Sequence, residues 1–124
     1  MNETQKDDLF YVCSLIEFLV RKTNSSHKAV IQHFTKAAIE RQLRLASVNH
    51  CLSFEQVADE LIEEYSIAVE DTKKEYKYPL PSVQSIGRVY QMLISAVCTN
   101  GDIAATLLDV FNSFICAFSK ANVG

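Results

Sequence analysis

The chain has 124 residues, of which 48% are apolar, with only three Gly and two Pro and a formal net charge of −3. This length suits one domain with a real hydrophobic core. A content of 22% charged residues excludes an unburied polar chain, and the composition fits neither collagen nor a coiled coil. We therefore expect a single domain spanning residues 1–124.

The first predicted element is a helix that is apolar on more than one side. Leu9, Val12, Ile16 and Val20 recur at the three-and-four spacing of one helix face. Other apolar positions, among them Phe10, Tyr11, Leu15 and Phe18, lie on its remaining sides. A helix of this kind is typical of the centre of a bundle or of an oligomer interface.

The next stretch, residues 27–48, favours two short helices over one long helix. Ser25 or Ser26 can cap the first, and Thr35 can cap the second. Ser53 then begins a capping box, followed by the clearest amphipathic pattern in the chain. The side chains at 54, 57, 58, 61, 62 and 65 are predicted to face inward, and the acidic residues to face solvent.

Residues 67–81 lose this periodicity and are predicted to form an exposed loop that ends in two prolines. Ser82 caps a further helix. The pattern predicts an apolar buried side for it, formed by Val83, Ile86, Val89, Tyr90, Leu93, Ile94 and Val97. Asn100-Gly101 ends that helix, and Asp102 begins the last one. The sequence thus predicts an all-α fold, a single-domain bundle of five to six helices.

The small net charge hides a strong segregation along the chain. Residues 1–20 carry −3, residues 21–50 carry +5, residues 51–75 carry −6 and the remainder carries +1. Complementary patches of this kind steer protein association and fix its register. The candidate interaction surface comprises Arg21, Lys22, Lys28, Lys36, Arg41, Arg44, Glu55, Asp59, Glu63, Tyr76 and Tyr78.

Patterns that would carry catalysis or metal binding are weak. His27 and His33 are six residues apart and cannot share an ion through one helix, and Glu60-x-x-Glu63 has no second acidic motif on a following helix. Adjacent side chains are expected to point apart, which makes His50 a poor base for Cys51. We therefore predict no catalytic residue, no metal site and no cofactor, and a protein that is not an enzyme.

The compartment is predicted to be the cytoplasm. The N-terminus is polar and acidic, unlike a signal peptide, and polar residues interrupt the apolar stretches at 9–20 and 103–118. Four widely spaced cysteines without a Cys-x-x-Cys motif indicate reduced, buried thiols. No membrane association is expected.

Three functions remain open at this stage, of which a metal-dependent hydrolase that uses the Glu60 region is the weakest. The first is a protein-interaction module that self-associates or binds another protein through the charged regions. The alternative is a nucleic-acid-binding regulator that uses the basic 21–44 region, with Lys36, Arg41 and Arg44 on one predicted helix. The acidic total charge, and a pairing expected between Glu40 and Arg44, favour the first.

Several segments also resemble a family of small bacterial proteins of unknown function. They are Phe10-Tyr11-Val12-Cys13, Asn49-His50-Cys51, Pro81-Ser82 and Ile86-Gly87-Arg88-Val89-Tyr90, and the resemblance covers roughly residues 9–115. Members are often encoded near toxin-like or mobile-element genes. The resemblance therefore implies a role as a protein partner, by association alone, and it supplies no functional residue.

Overall fold

The computed structural model describes residues 1–71 and 78–113. Within these ranges the chain forms six α-helices and no strand, which confirms the predicted all-α fold. The helices are α1 (Glu3–Thr23), α2 (His27–Ile31), α3 (Lys36–Asn49), α4 (Phe54–Tyr65), α5 (Val83–Val97) and α6 (Ile103–Ser113).

Helix α1 is the centre of the fold, as its apolar residues on several sides predict. It contacts α2, α3, α4 and α5. Its start is fixed by a capping box between Asn2 and Gln5, and its end by Asn24 in the left-handed conformation. Leu9, Leu15 and Leu19 are almost completely buried on it, so that α1 supplies the core against which the other helices pack.

The predicted helix boundaries in the middle of the chain are confirmed. Ser26 accepts a hydrogen bond from the backbone N–H of the third residue after it, and so do Thr35 and Ser53, each at the start of a helix. The division of residues 27–48 into α2 and α3 follows from the Thr35 cap. Helix α4 buries Val57 and Leu61, and its acidic side chains face solvent as predicted.

The boundaries of α5 and α6 also follow local chemistry. Ser82 caps α5. Helix α5 ends at Val97, slightly before the predicted Asn100-Gly101 stop. Gly101 has a φ of 75°, which an L side chain rarely adopts, and the Asp102 carboxylate accepts a 3.1 Å hydrogen bond from the backbone N–H of Ala105 in α6.

Helices α1 and α5 form the most extensive helix pair in the structure. They run antiparallel, because Met1 lies beside Ser95 while Phe10 lies beside Arg88. At their crossing a Cβ atom added to Gly87 would lie 2.9 Å from the Cα atom of Ser14. Only glycine at this position permits so close an approach.

The predicted buried face of α5 is confirmed at its centre and wrong at its edge. Ile86, Tyr90 and Ile94 are buried as predicted, whereas Val89 and Val97 are 45% and 49% exposed. The buried side extends instead to Gly87 and Gln91. The close approach of α1 at Gly87 thus shifts the buried face away from the two valines.

The loop predicted at 67–81 is attached to the bundle at its start. Ile67 is only 5% exposed, so this first residue belongs to the core rather than to an exposed loop. The Glu70 N–H donates to the carbonyl oxygen of Thr23 at 2.8 Å, and the Asn24 side chain donates to the Glu70 carbonyl oxygen. Tyr76 lies outside the described residues.

Candidate interaction surface

The basic and acidic regions of the sequence face each other where α1 meets α4. The Lys22 ammonium group donates to the carboxylate of Glu55 and lies 3.2 Å from a carboxylate oxygen of Asp59. These hydrogen bonds raise the pKa of Lys22, and the bond to Glu55 has a larger effect than the bond to Asp59. Two acidic residues of the predicted surface are thereby engaged within the chain.

Two further basic residues on α3 have partners elsewhere in the fold. Arg41 donates to Glu64 at 2.9 Å, and this hydrogen bond raises the pKa of Arg41. Lys36 lies 2.6 Å from a carboxylate oxygen of Asp102. The hydrogen bond between them raises the pKa of Lys36 and, together with the Ala105 N–H, lowers that of Asp102.

Of the remaining charged candidates, Arg21 is half-buried and pairs with Glu17, and the others are exposed. Across residues 1–71 and 78–113, Lys28, Arg44 and Glu63 lie in no ion pair. The pairing expected between Glu40 and Arg44 is thus not formed. Tyr78 is exposed at the end of the loop. Within the described part of the predicted surface, the fold brings Lys22, Glu55 and Asp59 together. The other paired cations bind carboxylates outside that surface.

The structure contains a buried polar cluster between α1 and α2 that the sequence analysis did not identify. The Glu17 side chain, only 6% exposed, accepts a 2.8 Å hydrogen bond from Nε of Arg21, and its other oxygen lies 2.5 Å from Nε2 of His27. The His27 ring also stacks against Phe111. Glu17 and Arg21 are four residues apart within an apolar helix, which is the signal that could have revealed the pair.

The outward side of α5 carries an exposed row of uncharged residues. We call it the outer stripe of α5, and it consists of Ser85, Val89, Met92 and Ala96, all exposed. Met92 is 62% exposed and Val89 is 45% exposed. The positions are separated by four, three and four residues, the spacing with which one helix packs along another. No sequence pattern singled them out, because Val89 was assigned to the core.

The cysteines and histidines differ partly from expectation. Cys13 is buried as predicted, and burial raises the pKa of its thiol. Cys51 is exposed, and its Sγ lies 3.8 Å from Nε2 of His50, so these adjacent side chains do not point apart. Nδ1 of His50 lies 3.2 Å from the carbonyl oxygen of Ala46. Among the described residues, no three His, Cys, Asp or Glu side chains are placed to hold a metal ion.

Two open grooves flank α6. One of about 500 Å³ lies between the end of α5 and α6, where Leu93, Val97 and Val110 line it together with polar residues. The other, of about 440 Å³, lies between α3 and the start of α6, with Arg44 and the paired Lys36 in its lining. Neither groove is lined by a cysteine or a histidine.

In the part of the chain that the structure describes, no helix has the length and apolar character needed to cross a membrane. Comparison with known proteins adds no further assignment: no protein-family model, no curated protein and no solved structure matches this chain. The resemblance to small bacterial proteins stays a prediction.

Proposed function

We propose that this protein is a non-enzymatic protein-interaction module that self-associates. The observation that carries the proposal is the outer stripe of α5. Contiguous exposed apolar side chains are a common mark of a protein interface, and Val89 and Met92 are neighbours within the stripe. The stripe lies on a helix whose buried side packs on α1 and α6, so that its position is fixed before any partner binds.

A second helix is the partner that fits this stripe best. Spacing of four, three and four residues keeps a row of side chains facing one neighbouring helix. The small residues Ser85 and Ala96 at its ends allow close approach, while Val89 and Met92 supply apolar area between them. A copy of the same stripe meets these requirements without placing like charges opposite each other.

The pairing of the basic region favours this function over nucleic-acid binding. A phosphate backbone would have to compete with Glu55 and Asp59 for Lys22, with Asp102 for Lys36, and with Glu64 for Arg41. Lys28 and Arg44 remain exposed, and two cations give a small electrostatic contribution to binding nucleic acid.

Light scattering over a concentration series tests the proposal. Wild type should associate reversibly, and 1 M salt should not abolish the association, because the contact is mainly apolar. Met92→Glu should give a monomer at the same concentrations, since it places a charge in the stripe. Ala37→Glu, at an exposed position of α3, is the matched control and should associate like wild type.

Two results would contradict the proposed function. The first is a wild-type monomer at every concentration and ionic strength, and the second is equal association of Met92→Glu and wild type. A filter-binding assay with duplex DNA and single-stranded RNA at about 50 mM salt completes the comparison. Tight binding there, weakening steeply with salt, would favour the nucleic-acid alternative.

A further inference from the structure

An acidic segment and a single basic residue lie along the same edge of the outer stripe of α5. Helix α1 borders this edge, with Met1 Sδ 3.6 Å from Ser95 Oγ. Towards the other end of the stripe, the Arg88 guanidinium lies over the Phe10 ring, 3.9 Å from its centroid. The edge is therefore formed by the first three turns of α1 together with Arg88.

The acidic residues of these turns belong to the side of α1 that faces α5. Glu3, Asp7, Phe10 and Ser14 recur at intervals of four, three and four residues, which places them on one line along the helix. Phe10 and Ser14 on this line contact Arg88 and Gly87 of α5. Glu3 and Asp7 continue the line towards the level of Ser95, and both are exposed.

The charges on this edge are weakly engaged within the chain. Glu3 is 88% exposed and pairs only at 3.7 Å with Lys6. Within the described ranges, Asp7 and Arg88 lie in no ion pair; Arg88 donates a hydrogen bond to the Gln91 side chain. One end of the edge thus carries two carboxylates and the Lys6 ammonium group, of which the Asp7 carboxylate is in no ion pair with a described residue, and the other end carries the Arg88 guanidinium.

A two-fold axis through the middle of the stripe brings these opposite ends together. The middle of the stripe lies between Val89 and Met92. A two-fold axis at this point, perpendicular to α5 and in the plane of contact, pairs α5 with an antiparallel copy of itself. Such a rotation keeps each edge on its own side but reverses its direction. The level of Arg88 in one copy then coincides with the level of Glu3 and Asp7 in the other.

We propose that two copies of this chain pair through α5 in an antiparallel arrangement, with Arg88 of each copy beside Glu3 and Asp7 of the other. This inference rests on the proposed self-association and specifies its geometry. The outer stripe of α5 supplies the contact area, and the two symmetric charge contacts determine that the two α5 helices run antiparallel. A parallel two-fold pairing would place the two α1 edges on opposite sides of the contact and forgo both charge contacts.

Charge reversal at the edge tests the arrangement. Arg88→Glu should raise the dimer Kd about tenfold at low salt, because each dimer loses two contacts and gains two repulsions. Arg44→Glu makes the same change in net charge at an exposed site on α3 and should leave the Kd within about twofold of wild type. Circular dichroism should show that both variants are folded.

The compensating variant makes the test specific. Adding Glu3→Lys and Asp7→Lys to Arg88→Glu should restore most of the lost affinity, and 0.5 M salt should reduce the differences between variants. If Arg88→Glu associates like Arg44→Glu, or the added lysines restore nothing, the arrangement is wrong. Self-association that is sensitive to Met92→Glu would still stand, whereas a monomeric wild type overturns both proposals.

Discussion

Replacement of Gly87 by alanine probes the close crossing of α1 and α5. On an exposed helix this substitution stabilises, because alanine is the better helix former by about 1 kcal/mol. Here the added Cβ atom would lie 2.1 Å from the Ser14 Oγ and 2.9 Å from both the Cα and the backbone nitrogen of Ser14. Rotation of the serine side chain relieves the first contact but leaves the two backbone contacts.

The size of the effect follows from these distances. A carbon atom needs about 3.5 Å to such neighbours, so that the helices must separate by roughly half an ångström at the crossing. Overpacking of a buried site costs about 1–3 kcal/mol. We expect a cost of about 3 kcal/mol here, because the added carbon contacts backbone atoms that cannot rotate away. After the gain in helix propensity, the net loss is about 2 kcal/mol. For 124 residues the expected fall in Tm is about 8 °C.

Thermal and urea unfolding followed by circular dichroism at 222 nm measures this loss. Gln84→Ala, at an exposed position of α5, controls for helix propensity and should change stability by less than about 0.5 kcal/mol. Ser14→Ala combined with Gly87→Ala should remain destabilised, since the backbone contacts persist. A Gly87→Ala protein as stable as wild type would refute the argument that the two backbones meet here.

Three other predictions concern charged and thiol groups. Glu17→Gln should lower the free energy of unfolding by about 2 kcal/mol in urea at neutral pH, because the half-buried Arg21 guanidinium loses its carboxylate partner; a change under 1 kcal/mol would contradict this. Asp102→Asn should lower Tm at pH 7. Since the pKa of Asp102 is lowered on folding, the stability that this carboxylate contributes exists above the unfolded value of 3.8 and vanishes as pH falls through the lower folded value. The Tm difference should therefore close in acid, and a difference that persists there would contradict this. Iodoacetamide should label Cys51 at least ~100-fold faster than buried Cys13, as peptide mass spectrometry would record; equal rates would contradict the burial of Cys13.

The helix boundaries were predictable because they depend on local chemistry. Ser26, Thr35, Ser53 and Ser82 each cap the helix that the sequence assigned to them. A cap needs only a side-chain oxygen and the backbone N–H groups of the next turn, so that neighbouring residues determine it. The central position of α1 was predictable for a similar reason, since its apolar residues lie on several sides.

The faces of the helices and the pairing of charges required tertiary information. The apolar pattern of α5 allows more than one buried face, and the choice depends on a backbone contact with Ser14, 73 positions away in the chain. Lys22 and Glu55 likewise meet only because α4 returns to the end of α1. The net charges of the four sequence segments revealed that complementary regions exist. They could not show whether these regions meet within one chain or between chains.

The distribution of charge supports the outer stripe of α5, rather than the charged regions, as the proposed interface. Glu55, Asp59 and Glu63 are spaced four residues apart on α4, and like charges at this spacing destabilise a helix by a few tenths of a kcal/mol per pair. Lys22 offsets that repulsion at two of the three positions. A partner that bound the acidic face would displace this lysine and restore the repulsion, so that its own gain would be reduced. Binding at the outer stripe of α5 breaks no internal ion pair, and this difference favours α5 as the surface for association.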